Sequence, residues 1–140
     1  MVCTHLDPSP TILHQASGIT LRPGRFNCDS DNVVYLLYCT KCPQVTYIGE
    51  TSTKFRLRFN NHKLSIRQNK IGFPVAEHFN LANHSLSNLK FAILYGHFKT
   101  AQERSNRELK TILRLNTHNT GLNKDLAFMS FHARMHPDKV

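Results

Sequence analysis

Four cysteines and nine histidines stand in a chain of 140 residues, and their spacing offers a soft metal site. Cys39-x-x-Cys42 reads as a tight hairpin loop, where two thiolates can grip one zinc ion. His78-x5-His84 follows and could complete a tetrahedral set. Cys28 is a rival ligand, able to replace one histidine or to reach a metal near the N-terminus together with Cys3 and His5. The plainer alternative is a Cys39 buried in a strand and a histidine pair that caps a helix. A second group is Tyr35, Tyr47, Arg58, His62, Glu108 and Asn123. Taken singly, each has an ordinary structural role. Glu108 is the one out of place: with Ile112 and Leu115 it lies at i, i+4 and i+7, on the margin of an apolar stripe where an unpaired carboxylate is costly. A third group is basic: Lys54, Arg56, Arg58, Lys63, Arg67 and Lys70 follow one another with no acid between Thr51 and Ala76. A solvated helix usually mixes its charge signs, so this run points to phosphate contact.

Charge supports that direction. Lys and Arg number 18 against 9 Asp and Glu, a formal +9, and the natural partner is a polyanion. Charge alone does not choose between DNA and RNA. Only Glu50 and Glu77 lie between Asn32 and Gln102, so a site built on three or four carboxylates has little material. No stretch approaches the ~18 apolar residues of a membrane span. No secretory signal opens the sequence, and the expected compartment is reducing, where thiols serve metal or core before disulfides.

The elements that must position these groups follow from periodicity. Residues 1–25, rich in Pro and without a sustained period, read as an extended arm. Val33 to Cys39 is a dense β-branched and aromatic run, a strand buried on both faces. Val45 to Gly49 resumes extended character, making a hairpin whose loop carries both cysteines. The period of 2 puts Val33, Tyr35 and Leu37 on one face, and Val45, Tyr47 and Gly49 on one face of the partner, so both tyrosines can share a surface. Thr51 or Ser52 can cap a helix from Thr53 to Gln68, with Phe55, Phe59, His62 and Ile66 in one row and Arg58 bordering it. A short helix starts near Pro74 and reaches Leu81; Leu89 to Tyr95 is a third strand; Ala101 to Leu115 is a helix with Leu109, Ile112 and Leu113 inward.

Val33-Val34-Tyr35, Tyr47-Ile48-Gly49-Glu50-Thr51, Phe55-x-x-Arg58-x-x-x-His62, Glu108 and Gly121-Leu122-Asn123, in this order and spacing, resemble the GIY-YIG nuclease superfamily over about residues 26–125. Phe26-x-Cys28, the Cys39/Cys42 pair and His78-Phe79 with His84 are similar to the C-terminal endonuclease domain of Penelope-like retroelements. Val-Val-Tyr stands where the family has Gly-Ile-Tyr. Thr111 stands where relatives often carry Trp, and Thr120 where they often carry Pro. The resemblance implies a mixed α/β fold of α+β type, a small three-stranded antiparallel sheet flanked by helices. It divides the chain into the arm 1–25, a nuclease domain 26–125 with an inserted zinc-binding element, and a tail 126–140. It implies Mg²⁺ or Mn²⁺ on Glu108, charge neutralisation by Arg58, a water oriented or deprotonated by Tyr35 or Tyr47, His62 sharing that task or binding a phosphate oxygen, and Asn123 fixing the site by hydrogen bonds. Zn²⁺ on Cys39, Cys42, His78 and His84 would be structural, and Lys54, Arg56, Lys63, Arg67 and Lys70 would meet DNA. The expected function is DNA nicking that leaves a 5′-phosphate and a 3′-hydroxyl able to prime reverse transcription. The setting would be nuclear, with a reverse transcriptase domain of the same polyprotein as partner. The competing expectation is a zinc-stabilised nucleic-acid-binding module without catalysis.

Overall fold

A computed structural model describes residues 3–123; the expected tail at 126–140 lies outside the described residues. In chain order the elements are β1 (Ile12–His14), β2 (Ile19–Leu21), β3 (Val33–Cys39), β4 (Thr46–Thr51), α1 (Phe55–Arg67), α2 (Pro74–Phe79), a 3₁₀ turn Leu86–Asn88, β5 (Leu89–Tyr95), α3 (Ala101–Leu115) and α4 (Thr117–Thr120). The fold is α+β, with a three-stranded antiparallel sheet ordered β4-β3-β5. β3 is the centre, which is why its side chains are apolar on both faces.

The alternation along β3 sorts the core into two layers. Val33, Tyr35, Leu37 and Cys39 pack with Phe55, Phe59 and Ile66 of α1 and with Val75, Ala76 and Phe79 of α2. Val34 and Leu36 face the other way, against Ile112 and Leu115 of α3 and Leu21 of β2. Pairing of β3 with β5 slips between Val34 and Tyr35. Such a bulge increases local twist and re-aims the neighbouring side chain.

Both sheet edges are covered, and one cover corrects an expectation. Residues 3–25 are not simply an extended arm. β1 and β2 pair as a hairpin whose His14 is buried, and Leu6 bridges Phe91 of β5 in parallel. Phe91 donates its backbone N–H to the His5 carbonyl at 2.8 Å, and Asp7 donates to the Phe91 carbonyl at 2.9 Å, so the outer edge of β5 is paired. The edge of β4 is met by the chain after α4: Leu122 donates its backbone N–H to the Thr46 carbonyl at 2.8 Å. Gly121 permits this approach, since a Cβ there would lie 2.3 Å from the Thr46 oxygen.

One helix start differs from expectation. α1 begins at Phe55 behind Lys54, which offers no side-chain cap. Thr51, expected as a cap, is the last residue of β4, and its Oγ1 accepts the Thr53 N–H at 3.1 Å. No helix among the described residues is long and apolar enough to cross a membrane.

Candidate active site and metal cluster

Tyr35 and Gly49 are direct partners in the β3–β4 ladder, and Leu37 faces Tyr47 two pairs along. The Tyr35 ring lies over Gly49: a Cβ on Gly49 would sit 2.5 Å from Tyr35 Cζ and 2.9 Å from Tyr47 Cε2. Both tyrosines thus share the surface that meets α1, their ring centres 6.5 Å apart. From α1, His62 Nε2 is 2.8 Å from the Tyr35 hydroxyl, and Arg58 Nε donates to the same oxygen at 3.4 Å. The His62 ring edges Tyr47 at 5.5 Å. Because Arg58 donates to the Tyr35 oxygen, the Tyr35 proton is free to go to Nε2 of a neutral His62.

Electrostatics support that arrangement. Burial, with Arg58 alongside, pushes the His62 pKa down to about 4, so its imidazole is neutral at pH 7. A neutral ring with Nε2 engaged by Tyr35 suits proton acceptance better than a cationic grip on phosphate. Burial raises the pKa of both tyrosines; Arg58 opposes the rise on each, while Glu108 adds to it. Glu108 reaches this neighbourhood from α3, whose principal sheet contact is β4. It has no hydrogen bond or ion pair among the described residues, and burial, then Glu50, pushes its pKa up to about 8. Arg58 and Arg104 oppose that rise, so Glu108 stands among charges of both signs. Glu50 itself accepts from Ser105 Oγ at 3.2 Å and pairs with Arg104 at 3.5 Å.

Asn123 acts on β4. Its Oδ1 accepts from Ile48 N and from Thr117 Oγ1, and its Nδ2 donates to the Ile48 carbonyl, each at 2.8 Å. The amide thereby continues the ladder at the strand edge and holds the backbone between Tyr47 and Gly49.

A cavity of about 230 Å³ opens between α1 and the start of α2, with Tyr47, Arg58 and His62 in its lining. Tyr35 is fully buried and does not line it. Asn61, Ser65 and Phe73 do, and sequence reading passed over them. The signal for two was present, since Asn61 and Ser65 lie at i+3 and i+7 from Arg58 on one helical face. The basic residues do not form a single face. Arg56 forms an ion pair with Asp29, and Lys63 lies over the Phe59 ring, both beside Cys3 and Cys28 on the far flank of α1. Lys54, Arg67 and Lys70 are exposed, and Lys70 lies 4.9 Å over the Phe73 ring.

The soft donors form a separate cluster. Cys39, Cys42, His78 and His84 bring their ligand atoms within 4.8 Å of one another, a set that can hold a metal ion. Cys39 ends β3, Cys42 lies in the hairpin loop, His78 is on α2 and His84 follows it. His84 Nε2 is 3.5 Å from the Cys42 sulfur, while its Nδ1 is 3.0 Å from the Ala82 carbonyl, the outer contact that orients a ligating imidazole. His78 Nε2 is buried without a hydrogen-bond partner. Burial and the neighbouring Cys39 raise the Cys42 pKa, and a cation between the sulfurs would reverse that. Cys28 is not in this set. It is disulfide-bonded to Cys3, which removes it as a rival ligand and corrects, for this pair, the expectation of free thiols. Compared with known proteins, the chain matches no family model, no curated protein and no solved structure.

Proposed function

We propose that the chain is a divalent-metal-dependent DNA endonuclease of the GIY-YIG kind. One observation carries the reading: Tyr35, Tyr47, Arg58 and His62, from three elements, form one contact cluster whose last three members line a cavity, with Glu108 of a fourth element in electrostatic reach. Mg²⁺ or Mn²⁺ on Glu108 would polarise the scissile phosphate and stabilise the leaving 3′ oxygen. Arg58 binds the phosphate with the part of its planar fork not given to Tyr35 and neutralises charge that develops there. Tyr47 is the tyrosine that meets substrate, because it lines the cavity, and its hydroxyl orients the attacking water. Tyr35 is a positioning residue that holds His62 and Arg58 in place, and Asn123 keeps β4 in register beneath them. The product ends are a 5′-phosphate and a 3′-hydroxyl, the latter suited to priming reverse transcription by a domain of the same polyprotein in the nucleus.

The cysteine and histidine cluster takes zinc in this reading, since thiolate and imidazole donors select it over a hard ion. Its role is to tie the β3–β4 loop to α2.

The test is nicking of supercoiled plasmid with Mg²⁺ by the 140-residue chain. Glu108→Gln and Arg58→Ala each abolish nicking while circular dichroism stays that of the parent. Nicking by both variants at the parental rate overturns the assignment. A second reading, a zinc-stabilised DNA-binding module without catalysis, draws on the burial that keeps both tyrosines protonated. Salt-sensitive binding by the parent with no nicking under Mg²⁺ or Mn²⁺ establishes it instead.

A further inference from the structure

We infer that the cavity between α1 and Phe73 is a subsite for one nucleobase, displaced from the duplex stack next to the phosphate held by Arg58. The inference rests on the endonuclease reading and adds to it how the substrate is seated. The cavity of about 230 Å³ is lined by Tyr47, by Arg58 and His62 of α1, and by two further sets of unlike chemistry. One set is apolar, formed by Phe73, Pro74 and Val75, with the Phe73 ring 49% exposed at the rim. The other presents the Asn61 amide and the Ser65 hydroxyl, neither with a side-chain hydrogen bond among the described residues. An aromatic surface and amide and hydroxyl groups lining one cavity are the chemistry that holds a base, which stacks by its face and is read along its edge. A sugar–phosphate segment would gain nothing from the apolar wall.

Ile71 gives the displacement a means. It is 90% exposed, at the tip of the turn between Lys70 and Phe73. Gly72 carries φ +89 and donates its backbone N–H to Glu77 Oε1 at 2.9 Å, which ties the turn to α2 and fixes where Ile71 stands. An apolar side chain projecting beside basic residues is the wedge with which DNA-bending proteins unstack a base step. Lys70 beside Phe73 and exposed Arg67, in the last turn of α1, supply the complementary charge.

The experiment uses Glu108→Gln, which keeps the strand intact, and duplexes carrying 2-aminopurine on either side of the nick mapped for the parent. Emission rises several-fold on binding at one of those positions and stays flat at a control position several base pairs away. Phe73→Ala and Ile71→Ala lose the rise, Phe73→Ala weakens binding about ten-fold, and Phe73→Tyr keeps both. Asn61→Ala, at an exposed position that does not threaten the fold, shifts base preference at that nucleotide. Flat emission at every position despite tight binding overturns the subsite and leaves the nuclease reading standing. Parental behaviour of Phe73→Ala and Asn61→Ala together does the same. Neither nicking nor binding by the parent overturns both.

Discussion

Gly49 carries more of the site than its lack of a side chain suggests. It faces Tyr35 across the ladder, and the tyrosine ring occupies the space a Cβ would need, with Cζ only 2.5 Å away. Gly49→Ala must therefore push the Tyr35 hydroxyl away from His62 and Arg58. The expected loss is about 1–3 kcal/mol in urea unfolding, the usual range for overpacking, together with loss of nicking in protein that is still folded. The tyrosines separate in the same way. Tyr47→Phe lowers kcat about 100-fold with KM and unfolding midpoint near parental, as removal of one proton-handling group does. Tyr35→Phe leaves the buried Nε2 of His62 without its partner and lowers stability by about 1–3 kcal/mol. Equal kinetic profiles for the two would deny them different roles. The period of 2 was enough to place both rings on one face, and the helical margin singled out Glu108. The demand on Gly49 was not legible, because it is set by the ring on the neighbouring strand.

At the scale of elements, the soft-ligand cluster joins the end of β3 to α2 and the turn after it, segments separated in sequence by all of β4 and α1. It supplies a cross-link where α2, six residues long, has little helical stability of its own. Metal analysis after purification without added zinc should give about one ion per chain. Chelation should lower stability by about 3–4 kcal/mol, the effect of a ligand several hundred times above its Kd. Cys42→Ser should start at the lower value and respond no further to chelator. A chelator-insensitive parent would return these residues to ordinary packing. β3, β5 and α3 were legible in their bounds because each is long enough to show its period, although Leu113, expected inward, is exposed and Leu115 is the buried leucine of that last turn. The β1–β2 hairpin was not, since two strands of three residues are too short to show one, and its docking depends on buried His14 meeting Thr46 Oγ1 at 2.8 Å. The Cys3–Cys28 bond likewise joins positions that only the folded chain brings together.

For the whole molecule, the net charge of +9 raises the expectation of a polyanion but not of its path, because α1 divides its cations between two flanks. Response to acid is another property of the whole chain, and here the signs can be worked out. Unfolded histidines titrate near 6.5. In the fold His62 is pushed down to about 4 by burial and Arg58, and His14 is pushed down by burial. Between about 6.5 and 4 the unfolded chain therefore binds protons that the native state refuses, and stability falls as pH falls. Glu108 works in the opposite direction, since burial and Glu50 push it up to about 8, so its contribution fades as pH rises toward that value. In Glu108→Gln the opposing group is gone. That variant should be most stable above pH 7 and lose about 2–3 kcal/mol to His62 alone by about pH 4.5, followed as the urea midpoint across a pH series. Adding His62→Gln or His14→Gln should each flatten the slope, by an amount that isolates that histidine. An unchanged slope in the His62→Gln background would mean that His62 takes a proton as readily inside the fold as outside it, and the neutral acceptor for Tyr35 would be lost with it.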